Sequence, residues 1–392
     1  MKIRMYNVGL GECFRLTSEE GNLTVNFGSR NRKIEKQEIS TVFHTILQNI
    51  KEEEERTFLA TQFGQEQLSG FFYVHKETEE RVWDTICLPD IFTDRRMNET
   101  IALLILQDLS KGGDLPGKRV TLCMLLEILL KTPYHIKLLS RGNIIEKQYQ
   151  VLLPDKDELC RQSKKTAYDI GIEEAFYEQD RKIWQELLKI SGRMRELFMR
   201  VCALNENNMI TRNKEHIPKE LEDDWKNFRT DFQKLRRNPL FLGMAERCQD
   251  RQEELKEFQN RVSLAFHTCK DGKKNVLFTG GVTPDQIKWL ERNEDGVVKM
   301  HDKYWCVQIP QHGTDRAYYD FKIYKPQHFL ISNGLCAGQE TAKISGRYTG
   351  MFAVPNVKMH CTNSDWCEGN SGGMCSCWNC EITAPRLYSQ IQ

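Results

Sequence analysis

The sequence predicts an α/β protein: a sheet covered by helices, interrupted by a helical insertion and followed by a cysteine-rich tail. Three observations predict it. Residues 2–28 alternate with period two between glycine turns; short apolar strand-like segments later recur between helix-like ones; and apolar residues from Phe176 to Leu235 repeat every three or four positions.

The first strands read as Lys2–Val8, Cys13–Thr17 and Leu23–Gly28, separated by turns at Gly9/Gly11 and Gly21-Asn22. Ile39, Val42/Phe43, Ile46/Leu47 and Ile50 then predict a helix from Glu38 to Glu55. Thr57–Thr61 reads as a strand running into a polar loop, Gln62–Gly70. Strands follow at Val82–Leu88, Ile136–Leu139 and Tyr149–Leu153, with helices at Asn98–Leu109 and Val120–Lys131. In the next stretch Phe176, Ile183, Leu187, Ile190, Met194, Leu197, Val201 and Leu204 form one seam. After a polar break at Asn205–His216, Pro218 opens a second: Leu221, Trp225, Phe228, Phe232 and Leu235. Charged residues fill the intervals, which predicts a coiled-coil pair folded back as an antiparallel hairpin. Strand-type sequence resumes at Val262–His267, Val276–Thr279, Trp305–Ile309 and His328–Ser332, so the hairpin reads as an insertion. The expected organisation is 1–157 and 259–350 as two halves of one domain, 158–258 as the helical insertion, and 351–392 as the tail.

Lys and Arg total 56 against 55 Asp and Glu, a net charge of +1, in a chain of 392 residues. That balance gives no bulk attraction to nucleic acid or anionic membrane. The basic clusters Arg30-Asn31-Arg32-Lys33 and Arg236-Arg237 are diluted by acids and read as solvated surface. No apolar run approaches the roughly 20 residues that span a bilayer, and the N-terminus has no apolar leader-like stretch, so the reading is a cytoplasmic protein without membrane contact. Nine of the 14 cysteines are scattered singly, as buried thiols in a reducing compartment are; five crowd into the last 32 residues.

Six segments, in order, resemble the competence-type (DNA-uptake) branch of metallo-β-lactamase-fold proteins. Asn7-Val8-Gly9-Leu10-Gly11-Glu12 is similar to that family's N-V-G-Q-G-D, and Val25-Asn26-Phe27-Gly28 to its V-D-x-G. Thr61-Gln62-Phe63-Gly64-Gln65-Glu66-Gln67-Leu68-Ser69-Gly70 lies where the family has T-H-x-H-x-D-H-I-x-G. Asn275–Gly281 is similar to x-x-L-L-T-G-D, Ile309-Pro310-Gln311-His312-Gly313-Thr314 to V-P-H-H-G-S, and Phe329–Gly334 resembles the strand that follows. The resemblance covers residues 1–345 outside the insertion and implies an αββα sandwich.

In that family, imidazoles and carboxylates at the loop ends hold metal ions that turn water into hydroxide. At the matching positions this chain has Gln62, Gly64 and Gln67 for the three histidines and Glu66 for the aspartate. Gly281 replaces the bridging aspartate and Gln311 the first histidine of the pair. Only Glu66 and His312 remain as ordinary ligands, short of the three that a catalytic zinc needs. The resemblance therefore implies a catalytically inactive homologue, with no catalytic metal, that acts by binding or scaffolding through the helical insertion, with a protein partner or a second copy. Bacterial relatives of this type sit beside nucleic-acid or defence machinery, which points to a multi-protein system. Two other readings stay open. A metal-dependent phosphodiester-type hydrolase would need Glu66, His312, Asp285 or Glu12 to converge on an ion. A ligand sensor would use the amides of Gln62, Gln67 and Gln311 as hydrogen-bonding groups.

The tail carries His360-Cys361, Cys367, Cys375, Cys377 and Cys380. Four thiolates in tetrahedral array would hold a structural zinc and order a segment with little core of its own. The spacing C-x5-C-x7-C-x-C-x2-C is not a standard zinc-finger spacing, and unpaired thiols, then disulfide or redox chemistry, are the alternatives to a structural metal.

Overall fold

The structure, a computed structural model, describes residues 1–18, 20–34, 37–51, 56–77, 81–111, 118–172, 178–211, 217–269, 274–292, 298–334, 344–348, 351 and 357–362. The chain divides into two compact units. The first holds Met1–Pro89, Leu139–Pro154 and the chain from Ser263 onward; the second holds Asp90–Leu138 and Asp155–Val262.

The first unit opens with β1 (Lys2–Met5), β2 (Gly11–Ser18), β3 (Gly21–Ser29), a small pair β4 (Lys33–Ile34) and β5 (Gln37–Glu38), α1 (Ile39–Lys51), β6 (Arg56–Leu59), α2 (Gln65–Glu77) and β7 (Thr85–Pro89). The chain passes through α3 (Asn98–Leu109) and α4 (Thr121–Lys131), returns by β8 (His135–Leu139), and forms β9 (Ile144–Ile145) and β10 (Tyr149–Leu153). A second excursion holds α5 (Lys156–Asp169), α6 (Glu178–Thr211), α7 (Lys219–Arg236), α8 (Pro239–Arg247) and α9 (Gln252–Arg261). The first unit then resumes with β11 (Ala265–Thr268), β12 (Val276–Phe278), α10 (Pro284–Arg292), β13 (Cys306–Gln308), β14 (His328–Ile331) and β15 (Lys358–Cys361).

Within the first unit one sheet runs β1-β2-β3-β6-β7, antiparallel through β3 and parallel thereafter. The other runs β15-β14-β13-β12-β11-β10-β9, parallel as far as β12 and antiparallel beyond it. Period-two alternation sorts their side chains. Ile3, Met5, Phe14, Leu16, Leu23 and Val25 of the first sheet share one buried cluster with Tyr149, Val151, Phe266, Val276, Phe278 and Leu330 of the second. The opposite face of the second sheet offers Ala265, Leu277, Val307, Phe329 and Ile331, which pack with Ile287 and Leu290 of α10. Beyond the first sheet, Phe58 stacks on Phe71 of α2 at 5.1 Å and Phe27 meets Phe43 of α1 at 4.8 Å. The order of layers in this unit is thus helix, sheet, sheet, helix.

The expected polar loop Gln62–Gly70 is corrected: α2 begins at Gln65. Leu68, Phe71 and Val74 are buried at helical spacing. A buried Gln67 among them breaks the apolar signal that would have announced the helix.

The organisation of the helical unit is also corrected. The sequence reading put residues 90–138 with the N-terminal half of the sheet domain, whereas α3 and α4 belong to the helical unit. Burial explains this: Thr100 to Gln107 of α3 are all buried, and a helix apolar on every side needs helices around it. α3 packs on α4, α5, α6 and α9. The predicted hairpin is present in α6 and α7, antiparallel, with Arg193 paired to Asp231 at 2.8 Å and Arg200 paired to Asp224. α6 is buried more widely than a single seam. Trp184 and Phe198 are covered as well as Ile183, Leu187 and Val201, because α3, α4 and α8 pack on it beside α7. Phe176 lies outside the described residues, and Leu204 is half-buried. No described helix is long and apolar enough to cross a membrane.

Candidate functional site

The positions singled out by sequence come together in the first unit. Gly28 lets them do so: a Cβ there would stand 2.5 Å from the Gln65 carbonyl oxygen and 2.6 Å from backbone atoms of Glu66, so only glycine allows the first turn of α2 onto β3. That turn carries Glu66 and Gln67, while the Gly64 carbonyl accepts from the Gln67 and Leu68 amides and starts the helix.

The register of β2 against β3 shifts between Glu12 and Phe14, and Asn26 takes a left-handed backbone (φ 58°) at the shift. Its side-chain amide donates to Glu12 Oε2 at 2.6 Å and to Thr61 Oγ1 at 2.9 Å, and its carbonyl oxygen accepts from the Thr61 backbone N–H at 2.7 Å. Asn26 thus ties the end of β6 to β2. Glu12 is 2% exposed. Burial raises its pKa, His312 opposes the rise, Glu66 adds to it, and hydrogen bonds from Asn26 and Gln67 oppose it. Gln67 is therefore an amide donor to a buried carboxylate.

His312 follows Gln311 in a tight turn, both in left-handed conformations (φ 60° and 47°). Such strain in non-glycine residues persists only where surrounding contacts enforce it. Nδ1 donates to the Ser332 carbonyl at 2.6 Å, Asn333 Nδ2 donates to the His312 carbonyl at 2.7 Å, and Nε2 faces Glu66 Oε2 at 3.1 Å. With Nδ1 already donating, the Nε2 contact to a carboxylate is satisfied by a proton on the ring. Burial works against that charge, but Glu66, by charge and hydrogen bond, and Glu12, by charge, outweigh it, and the His312 pKa is raised. The other Glu66 oxygen binds Arg30 Nε at 2.6 Å. The solvated surface expected at Arg30 is corrected to half of a charge pair, with the side chain half-buried, and that expected at Arg236 to a buried guanidinium that donates to the Lys118 carbonyl at 2.6 Å.

The third part of the site is filled by amides. A Cβ on Gly281 would lie 2.0 Å from Gln62 Nε2, so the Gln62 side chain occupies the space where a residue 281 side chain would begin. Gln311 Nε2 donates to the Gly281 carbonyl at 2.9 Å and contacts the Val282 carbonyl at 3.3 Å. Gln62 and His312 are 4% and 7% exposed. Asp285, a possible acid for a rebuilt site, stands exposed in the first turn of α10.

The charged groups of this cluster are engaged with one another and with neutral partners: Glu66 with Arg30 and His312, His312 Nδ1 with a carbonyl, and Glu12 with two amides. Among the described residues no group of three or more His, Cys, Asp or Glu is arranged to hold an ion. Glu12, Asn26, Thr61 and Arg30 are the site members that sequence reasoning left apart. Glu12, Asn26 and Thr61 stand inside the quoted motifs, which is the available signal. Of the tail cysteines, Cys361 is buried among Phe329, Ile331 and Met359; Cys367, Cys375, Cys377 and Cys380 lie outside the described residues.

Neither a comparison with protein-family models nor one with curated proteins finds a match for this chain.

Proposed function

We propose that this chain is a metallo-β-lactamase-like protein of the competence type whose cation site has become an internal network of amides and ion pairs, and that it acts by binding within a multi-protein system. The observation that carries the reading is the Gln62 amide seated against Gly281. A neutral amide and a bare backbone there neither charge nor coordinate a reactive ion. The helix-sheet-sheet-helix layering of the first unit supports the fold side of the reading. In the helical unit, α6 is covered by other helices, so a protein partner or second copy would meet the mixed-charge outer faces of the helices rather than an apolar seam. Any zinc in the protein is structural and belongs to the cysteine-rich tail.

Elemental analysis of the full chain, with Glu66→Gln, His312→Gln and tail-cysteine variants, tests this. The expected result is that no bound metal depends on Glu66 or His312. A metal lost on changing either residue, together with phosphodiester hydrolysis that vanishes with it, would establish the hydrolase reading in its place. A monomer in solution with no co-purifying protein counts against the binding role.

A further inference from the structure

The cluster above uses none of the cations at the start of the chain. β1 ends the strand order of its sheet and pairs with β2. Ile3 and Met5 of β1, with Phe14 and Leu16 of β2, enter the core between the sheets. Alternation therefore sends Lys2, Arg4 and Tyr6 to the other face, together with Arg15 of β2. The antiparallel register sets Arg4 directly opposite Arg15. The Tyr6 N–H continues the ladder to the Cys13 carbonyl at 2.9 Å. Lys2 and Tyr6 are thus the two diagonal neighbours of Arg15.

Like charges directly opposite each other destabilise a sheet, and these stand partly out of water. Lys2 and Arg4 are half-buried, and Arg15 is 9% exposed, with its Nη1 donating to the Asn49 carbonyl of α1 at 3.0 Å. Burial, then Arg4 and Arg15, lower the Lys2 pKa, so the charges that act on Lys2 are cations. Tyr6 is 4% exposed. Burial raises its pKa, against the opposing effect of the Arg4 and Arg15 guanidiniums beside it. A guanidinium only donates. The Tyr6 hydroxyl proton accordingly has no acceptor. Three cations and one O–H donor are gathered on one face, and what they share is the want of an anion.

A phosphate dianion matches that set. It carries about −1.5 to −2 charge near neutral pH, offers several acceptor oxygens, and takes guanidinium N–H groups in pairs. A carboxylate brings a single charge and two oxygens, fewer than the donors present.

We propose that Lys2, Arg4, Arg15 and Tyr6 form a binding site for a phosphate dianion, free or as a phosphomonoester, on the outer face of the edge strand. The anion separates the opposed guanidiniums electrostatically and accepts from the Tyr6 hydroxyl. The site is independent of the amide-filled cluster and of the function proposed for it.

The test titrates the full chain with inorganic phosphate near neutral pH, at constant ionic strength in a phosphate-free buffer. Phosphorus NMR line broadening, which needs no variant, and melting temperature are the readouts. Wild type is expected to show saturable broadening and a saturable rise in Tm, neither of which chloride reproduces. Arg4→Gln should weaken phosphate by about tenfold or more, the loss of a charge-assisted hydrogen bond. Tyr6→Phe, which leaves every charge in place, should weaken it by about two- to tenfold. Without phosphate, Arg4→Gln should melt no lower than wild type, because it removes the like-charge pair; in saturating phosphate it should melt lower. Glycerol 3-phosphate binding tighter than inorganic phosphate assigns the site to phosphorylated molecules, and weaker binding assigns it to the free ion. A response that chloride reproduces overturns the site, as does affinity unchanged in both variants. Tighter binding of dimethyl phosphate, a monoanion, overturns it too, and so does an Arg4→Gln protein that melts lower by the same amount with and without phosphate.

Discussion

Replacing Gly281 by alanine should strain the protein through a single neighbour, and removing that neighbour should relieve it. Gly281 does not have the left-handed backbone that Gly280 has, so alanine meets no backbone penalty. The added Cβ would fall 2.0 Å from Gln62 Nε2, 2.8 Å from Cδ and 3.1 Å from Oε1, well over an ångström short of van der Waals contact at the nearest atom. Overpacking of this kind costs about 1–3 kcal/mol. Gln62→Ala alone leaves buried partners of the amide unsatisfied, also about 1–3 kcal/mol. In the double variant the alanine methyl enters the vacated space, so the two losses should fall short of their sum by about 1–2 kcal/mol. Urea unfolding followed by tryptophan fluorescence and circular dichroism measures the cycle. Gly11→Ala serves as control, because its Cβ would meet the Gly28 backbone oxygen at 2.1 Å and Gln62→Ala offers no relief there. Losses that add to within about 0.5 kcal/mol would refute the claim that the Gln62 amide fills the place of the missing side chain.

Three further outcomes follow from the geometry. His312 binds its proton more tightly folded than free, so its contribution is fully present below pH 6.5 and is lost as pH rises through the higher folded value. The stability gap between wild type and His312→Gln should accordingly be widest in mildly acidic buffer and narrow in alkaline buffer; a gap that grows with pH contradicts the Glu66 pairing. His267 has the opposite sign. Burial, reinforced by His301, lowers its pKa to about 3, so unfolding takes up a proton below pH 6.5. Stability should fall by about 1.4 kcal/mol per pH unit on acidification from there, and His267→Gln should remove that slope in denaturant titrations. In the hairpin, Arg193→Asp should cost no more than about 1 kcal/mol, and adding Asp231→Arg should recover it; failure of the swap would argue against the antiparallel register.

Much of the fold was legible where one side chain period ruled. Asn98–Leu109 and Tyr149–Leu153 begin and end where the sequence put them, since each has a clean apolar pattern and a polar or proline boundary. The start of α2 was hidden by Gln67, whose burial depends on a hydrogen bond to Glu12 that no local pattern announces. The second buried face of α6 escaped because the heptad reading looked for one partner helix and the structure supplies several. The grouping of α3 and α4 with the later helices is a long-range property, invisible to any window along the chain. At the site, Gln62, Gly281 and Gln311 were readable one by one. Their interlocking, and the recruitment of Arg30 and Glu12, required the positions of four separate segments.

The threading of the first unit has a kinetic consequence. Strand β10 leaves the ribosome long before β11, yet Leu153 pairs with Ala265. Until the chain beyond Ser263 is synthesised, β9 and β10 have only each other, and the apolar side chains of Tyr149 and Val151 await their covering strands. Nascent-chain stages that end within α5 to α9 will therefore carry an unfinished sheet edge, the kind of surface that chaperones bind and that aggregation exploits.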